Sequence, residues 1–239
     1  MRFTISTALC LLTVALSASE ALTTYILAGQ SNMLGRANTS ELQASLQQPY
    51  DKALVFDRGK WVAFKPGNQF GPEVTFVRAM AANGRAIGVI KQAKGATSLA
   101  VDWKACAGEQ YLGLIRKVTE ARASRKIRLA GLIWAQGEAD SKSPENASAY
   151  GDRLAEFIQR LRADLDTPGL PVVALRVNPP YPHVEGVRTA IEQTKLAHYA
   201  WIDGDDLEKA KDNIHYNVAG QLVLGDRFAK SLMALEKVK

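Results

Sequence analysis

Apolar runs of strand length alternate with amphipathic helical stretches along almost the whole chain. A run with no polar alternation has no solvent-facing side, so its strand must be buried on both faces, and the helices between such runs supply the cover. The pattern predicts an α/β fold with a parallel sheet and strands over residues 24–28, 53–56, 87–92, 129–135, 172–177 and 200–203. Between them, residues 149–165 form the clearest helix. Leu154, Phe157, Ile158, Leu161 and Leu165 fall on one face there, and Pro168-Gly169 ends it. A last helix is expected after Asn217 as cap, with Val218, Leu222, Phe228, Leu232 and Leu235 aligned. The region from Gly35 to Gly71 reads as largely irregular, and its aromatic and amide side chains suit either a substrate cleft or an ordinary connector.

No repeat and no Pro, Gly or Ser-rich linker divides the 239 residues, a length that fits one well-buried domain. The amino terminus stands apart. Arg2 precedes an uncharged, mostly apolar stretch over residues 3–19, with small residues at Ala15, Ser17, Ala18, Ser19 and Ala21. This is the pattern of a secretory signal peptide, residues 1–21, cleaved between Ser17 and Leu22 to leave a domain over residues 22–239. The stretch is shorter than the roughly 20 residues of a spanning helix, and Thr7-Ala8-Leu9 before Cys10 is a poor lipoprotein acceptor. A secreted or periplasmic protein without a stable membrane anchor is expected.

Cleavage leaves Cys106 alone, which rules out an intramolecular disulfide and predicts a partly buried structural thiol. Three histidines, no paired cysteines and no His-Glu-x-x-His segment predict no metal and no other cofactor. The formal charge of +6 comes from scattered Lys and Arg, the pattern of a solvated basic surface and not of a nucleic-acid site.

Two segments carry chemistry. Gly29-Gln30-Ser31-Asn32-Met33-Leu34-Gly35 follows the first apolar run, so Ser31 stands at a strand exit, where open α/β sheets bind ligands. It is either a nucleophile or the cap of a short helix. Near the carboxyl end, Asp212-Asn213-Ile214-His215 places a carboxylate three residues before an imidazole. One turn can then direct the carboxylate to Nδ1 and leave Nε2 free to take a serine proton. His183, in a Pro-rich loop, and His198, in a helical stretch, are weaker candidates for the base. Donors for a developing oxyanion are available at strand ends, from the backbone at Gly95 and from the Gln136 amide.

Five blocks in order extend this reading: Gly29-Gln30-Ser31-Asn32-Met33 with Gly35, Phe70-Gly71-Pro72-Glu73, Gly95-Ala96-Thr97-Ser98, Gln136-Gly137-Glu138-Ala139-Asp140 and Asp212-Asn213-Ile214-His215. With them the chain resembles the sialate O-acetylesterase-like carbohydrate esterases of the SGNH (GDSL-type) hydrolase superfamily. The resemblance implies a three-layer α/β/α sandwich of flavodoxin-like type with a mostly parallel central sheet. It also implies a serine esterase that removes O-acetyl groups from carbohydrates through an acyl-enzyme. Ser31 is then the nucleophile, His215 the base and Asp212 its orienter, with an oxyanion hole from the Ser31 and Gly95 N–H groups and the Gln136 side chain. The family's second glycine before Thr97 is Ala96 here. Glu138 either joins a tetrad with the base or substrate or anchors the Gln136 loop, and Glu73 reads as a favourable charge at a helix start. Two other functions fit the same pattern: a lipase or thioesterase of this fold, disfavoured by the lack of an apolar lid, and an inactive carbohydrate-binding protein, disfavoured by the retained Ser31, Asp212 and His215.

Overall fold

The computed structural model describes residues 20–237. Cys10 and the predicted signal segment up to Ser19 lie outside them. Within this span the strands are β1 (Leu22–Gly29), β2 (Ala37–Asn38), β3 (Tyr50–Asp57), β4 (Lys60–Phe64), β5 (Gln69–Phe70), β6 (Ile87–Ala93), β7 (Ile127–Ala135), β8 (Val172–Arg176) and β9 (Tyr199–Asp203). The helices are α1 (Ser31–Leu34), α2 (Ala44–Gln47), α3 (Glu73–Met80), α4 (Glu109–Ser124), α5 (Pro144–Ser148), α6 (Tyr150–Asp164), α7 (Val184–Gln193) and α8 (Val218–Glu236).

Seven strands form one sheet in the order β4-β3-β6-β1-β7-β8-β9. Only β4 is antiparallel, to β3, and every other pairing in the sheet is parallel. Every residue of β1 except Thr23 is buried, because strands lie on both sides of it and helices on both faces. On one face α3 packs against α8, and Tyr25 of β1 meets Phe76 of α3 edge-on at 5.6 Å. On the other, Trp134 of β7 stacks against Phe157 of α6 at 4.5 Å, and Tyr111 of α4 joins the cluster. These are the three layers implied by the resemblance. After β1 the chain builds β3, β4 and β6 on one side of it and then crosses to lay down β7, β8 and β9 on the other. β1 is therefore the switch point, and a crevice opens beyond its carboxyl end.

All six predicted strands are present. The region from Gly35 to Gly71 holds more regular structure than expected: a β3–β4 hairpin and the small β2–β5 pair, Ala37 opposite Phe70. The hairpin turns through Arg58 and Gly59, with φ of 44° and 78°, the doubly left-handed geometry of a type I′ turn. β4 is an edge strand and mostly exposed, with Phe64 alone buried although four of its five residues are apolar. In α8, Asn217 does cap the helix, its Oδ1 accepting from Gly220 N at 2.9 Å. The buried stripe is Leu224, Phe228 and Leu232, whereas Val218, Leu222 and Leu235 are half-buried.

Two expectations are corrected. Cys106 is exposed, not partly buried; it stands in a tight turn at φ 62°, with the Arg160 guanidinium 3.2 Å from its sulfur. His198 is not helical: α7 ends at Gln193, and His198 occupies a turn at φ 55° leading into β9.

Candidate active site

Gly29 ends β1 at φ 147°, and a Cβ there would sit 2.1 Å from the Ala135 carbonyl oxygen. Only glycine lets β1 press this closely on the end of β7, where Gln30 N donates to the same oxygen at 2.8 Å. The chain then turns into the single-turn helix α1, whose first residue is Ser31. Ser31 is buried and opens onto a cavity of about 310 Å³.

The turn before α8 brings the other half. Asp212 Oδ1 accepts from the backbone N–H groups of Ile214 and His215 at 2.9 and 3.0 Å, so the carboxylate shapes the loop that carries the imidazole. Its Oδ2 lies 2.6 Å from His215 Nδ1, and His215 Nε2 lies 2.9 Å from Ser31 Oγ. Burial works against the Asp212 charge, but the His215 backbone and ring and the Ile214 N–H outweigh it and hold the carboxyl down at about 2. Asp212 is thus ionised through the neutral and mildly acidic range, and an ionised acceptor fixes the proton of the imidazole on Nδ1.

Asn32 ties the two halves together. Its Nδ2 donates to the Ile214 carbonyl at 3.1 Å and its Oδ1 accepts from Tyr216 N at 3.1 Å, so one side chain grips the residue on each side of His215. The same Nδ2 donates to Glu138 Oε1 at 2.7 Å. Glu138 therefore reaches the His215 loop through Asn32 and makes no hydrogen bond to His215. Its Oε2 has no partner among the described residues, and burial pushes its carboxyl up against the opposing pull of Asn32 and His215.

Gly95 lies beside Ser31: a Cβ on it would meet Ser31 Cβ at 3.9 Å and the Arg36 guanidinium at 3.0 Å. Neither Ser31 N nor Gly95 N donates to a protein atom among the described residues. Ala96 follows at φ 59°, a left-handed position that a glycine would occupy without strain.

Gln136 departs from expectation. Its Nε2 donates to Thr97 O at 2.9 Å and Asp140 Oδ2 at 2.6 Å, its Oε1 faces Tyr150 Oη at 3.0 Å, and it is fully buried away from the cavity. Gln136 joins the loop after β7 to the loop after β6, a task shared by Asp140, which accepts from Leu99 N at 2.9 Å. Its amide protons are committed and do not reach the cavity. Glu73 also lies away from the cavity, paired with Lys91 at 2.8 Å.

Sequence reasoning missed Arg36, Lys142 and Tyr181, which line the cavity with Gln30, Ala139 and Ile214. Each comes from a different loop with no local pattern to mark it. The Lys142 ammonium stands over the Tyr181 ring at 4.7 Å. A second cavity, about 420 Å³, adjoins the first at Arg36 and His215.

A family model described as carbohydrate esterase, sialic acid-specific acetylesterase, matches residues 21–234. A probable carbohydrate esterase from Arabidopsis thaliana is 25% identical over 238 residues, covering 88% of this chain and 90% of its own. The X-ray structure of that Arabidopsis protein superposes with a TM-score of 0.83 at 23% identity, over 90% of this chain and 99% of its own. The crystal structure of NanS gives 0.74 at 13% identity, over 92% and 98%. That of a carbohydrate acetylesterase from Xanthomonas citri gives 0.68 at 16%, over 91% of this chain and 57% of its own.

Proposed function

Because the chain belongs to the sialic acid-specific acetylesterase family of carbohydrate esterases, and is thus a carboxylic ester hydrolase acting on acetylated carbohydrate, we propose that it works through a Ser31 acyl-enzyme. His215 Nε2 takes the hydroxyl proton as Ser31 Oγ bonds to the acetyl carbonyl carbon. The carbonyl oxygen becomes an oxyanion facing the Ser31 and Gly95 N–H groups. Collapse breaks the bond to the sugar oxygen, which leaves with the proton from His215. Water then gives a proton to His215 and its oxygen to the acyl carbon. Acetate departs as Ser31 recovers its proton. The observation that carries this reading is the unbroken line from Asp212 Oδ2 through the imidazole to Ser31 Oγ, at 2.6 and 2.9 Å.

The cavity favours a short acyl group on a polar alcohol over a fatty acyl chain. Its wall presents Gln30, Arg36, Glu138, Lys142 and Tyr181, with Ile214 as its aliphatic side chain beyond alanine size. Acetate release is to be measured from para-nitrophenyl acetate, acetylated xylan and O-acetyl sialic acid, with the chain lacking residues 1–21 and its Ser31→Ala variant. The parent is expected to deacetylate at least one glycan and the variant none. Equal release by both overturns the assignment of Ser31.

Export belongs to the same proposal, supported by Arg2 and the uncharged residues 3–19 and by the start of β1 at Leu22. Amino-terminal sequencing of the exported protein is expected to begin within residues 18–22. An exported chain that keeps residues 1–17 overturns cleavage.

A further inference from the structure

The commitment of Gln136 leaves an oxyanion hole with backbone donors alone, and the residue before the nucleophile is built to fill the gap. Gln30 is buried, yet it lines the cavity beside Ser31. Its Oε1 accepts from Ala139 N at 3.2 Å and, at 3.3 Å, shares one of the two Gln136 Nε2 protons that Thr97 O and Asp140 Oδ2 hold more closely. A backbone N–H can only donate, so the Gln30 atom facing Ala139 must be the carbonyl oxygen, and the Gln30 NH2 group must point the other way. Gln136 is oriented with equal certainty, because the Thr97 carbonyl that its nitrogen meets can only accept. Gln30 Nε2 donates to no protein atom among the described residues. An amide held by its oxygen, with its NH2 group unpartnered at the cavity wall next to Ser31, has the form of a preorganised donor.

The geometry points to Gln30 as the side-chain donor of the oxyanion hole, acting through Nε2 alongside the Ser31 and Gly95 N–H groups, with Gln136 as the residue that positions it. This rests on the Ser31 acyl-enzyme reading. In chemical terms, Nε2–H donates to the carbonyl oxygen as negative charge builds on it and holds no more than a weak contact to the ground-state ester. The benefit is confined to the transition state, so it is read in kcat.

Two variants separate donation from support. Gln30→Glu keeps an oxygen for Ala139 N and Gln136 Nε2 and replaces only the cavity-facing NH2 group, whereas Gln30→Ala removes both functions. Steady-state kinetics on para-nitrophenyl acetate, with thermal unfolding alongside, are expected to show kcat falling about 10²- to 10³-fold in Gln30→Ala, as for loss of one oxyanion donor. KM is expected within about twofold of the parent, and Gln30→Glu at least as impaired as Gln30→Ala. Inhibition by trifluoroacetone, whose hemiketal with Ser31 places an oxyanion in the hole, is expected to weaken by a fold-change similar to that in kcat/KM. A folded Gln30→Glu variant with kcat within about threefold of the parent overturns the proposal, as does a Gln30→Ala loss that Gln30→Glu restores. Ser31→Ala in the same assay keeps the two readings apart: if it stays active, the acyl-enzyme fails. If it is inactive while the Gln30 variants are not, only the donor assignment fails.

Discussion

Ser31→Ala and His215→Ala are each expected to lower kcat for acetyl-ester hydrolysis by on the order of 10⁶-fold, and the double variant by no more than either alone. In the proposed mechanism the two groups act in one event. The hydroxyl is a poor nucleophile unless its proton has somewhere to go, and the imidazole 2.9 Å away has no proton to take once the hydroxyl is gone. Residual activity belongs to substrate binding and the N–H groups facing the carbonyl oxygen, which neither change touches. Steady-state kinetics of the three variants check this. Additive losses, or a His215→Ala variant within tenfold of the parent, would contradict a shared proton transfer.

Asp212→Asn is expected to cost about 10⁴-fold in kcat while leaving the fold intact. The magnitude follows from the orientation of the new amide. Oδ1 is held by two backbone N–H groups at 2.9 and 3.0 Å, which only an oxygen can satisfy. The amide nitrogen is thereby forced into the place of Oδ2, facing His215 Nδ1. Two donors cannot share that contact, so the neutral ring moves its proton to Nε2, the nitrogen that must accept from Ser31. The variant holds the geometry and inverts the proton. Kinetics together with the imidazole nitrogen NMR shifts test both halves: a variant that retains the Nδ1 proton and full kcat removes Asp212 from the mechanism.

Much of this architecture was legible because the features involved are local or periodic. Buried strands must be apolar, so β1, β6, β7 and β8 stood out in the sequence, while β3 and β9, largely unburied, were marked by shorter apolar runs, and the Asp212–His215 turn is a four-residue unit whose geometry its spacing foretells. Part of what escaped is local and part depends on contacts between distant segments. The β3–β4 hairpin has an exposed outer strand and a turn announced only by Arg58-Gly59. Gln136 sits in the right block at the right strand end, but whether its amide meets the cavity or Thr97 and Asp140 is decided by the loop after β6. Arg36, Lys142 and Tyr181 converge on the cavity from separate loops, and no spacing relates them. Cys106 carries no sequence signal of exposure, because a turn that lifts a small residue to the surface leaves little trace in composition.

Ser31 and His215 are separated by 184 positions in sequence, and β1, which leads into the serine, is flanked by β6 and β7, both made later. A chain growing from its amino end thus completes the surroundings of Ser31 only after residue 135 and gains His215 near the end of synthesis. Such long-range closure is slow in folding terms, since distant segments must be ordered before the contacts between them repay the cost. No amino-terminal fragment ending before Asp212 contains the pair. The appearance of acetate during refolding or translation is therefore expected to time the meeting of these distant segments, an event that helix formation, being local, does not report.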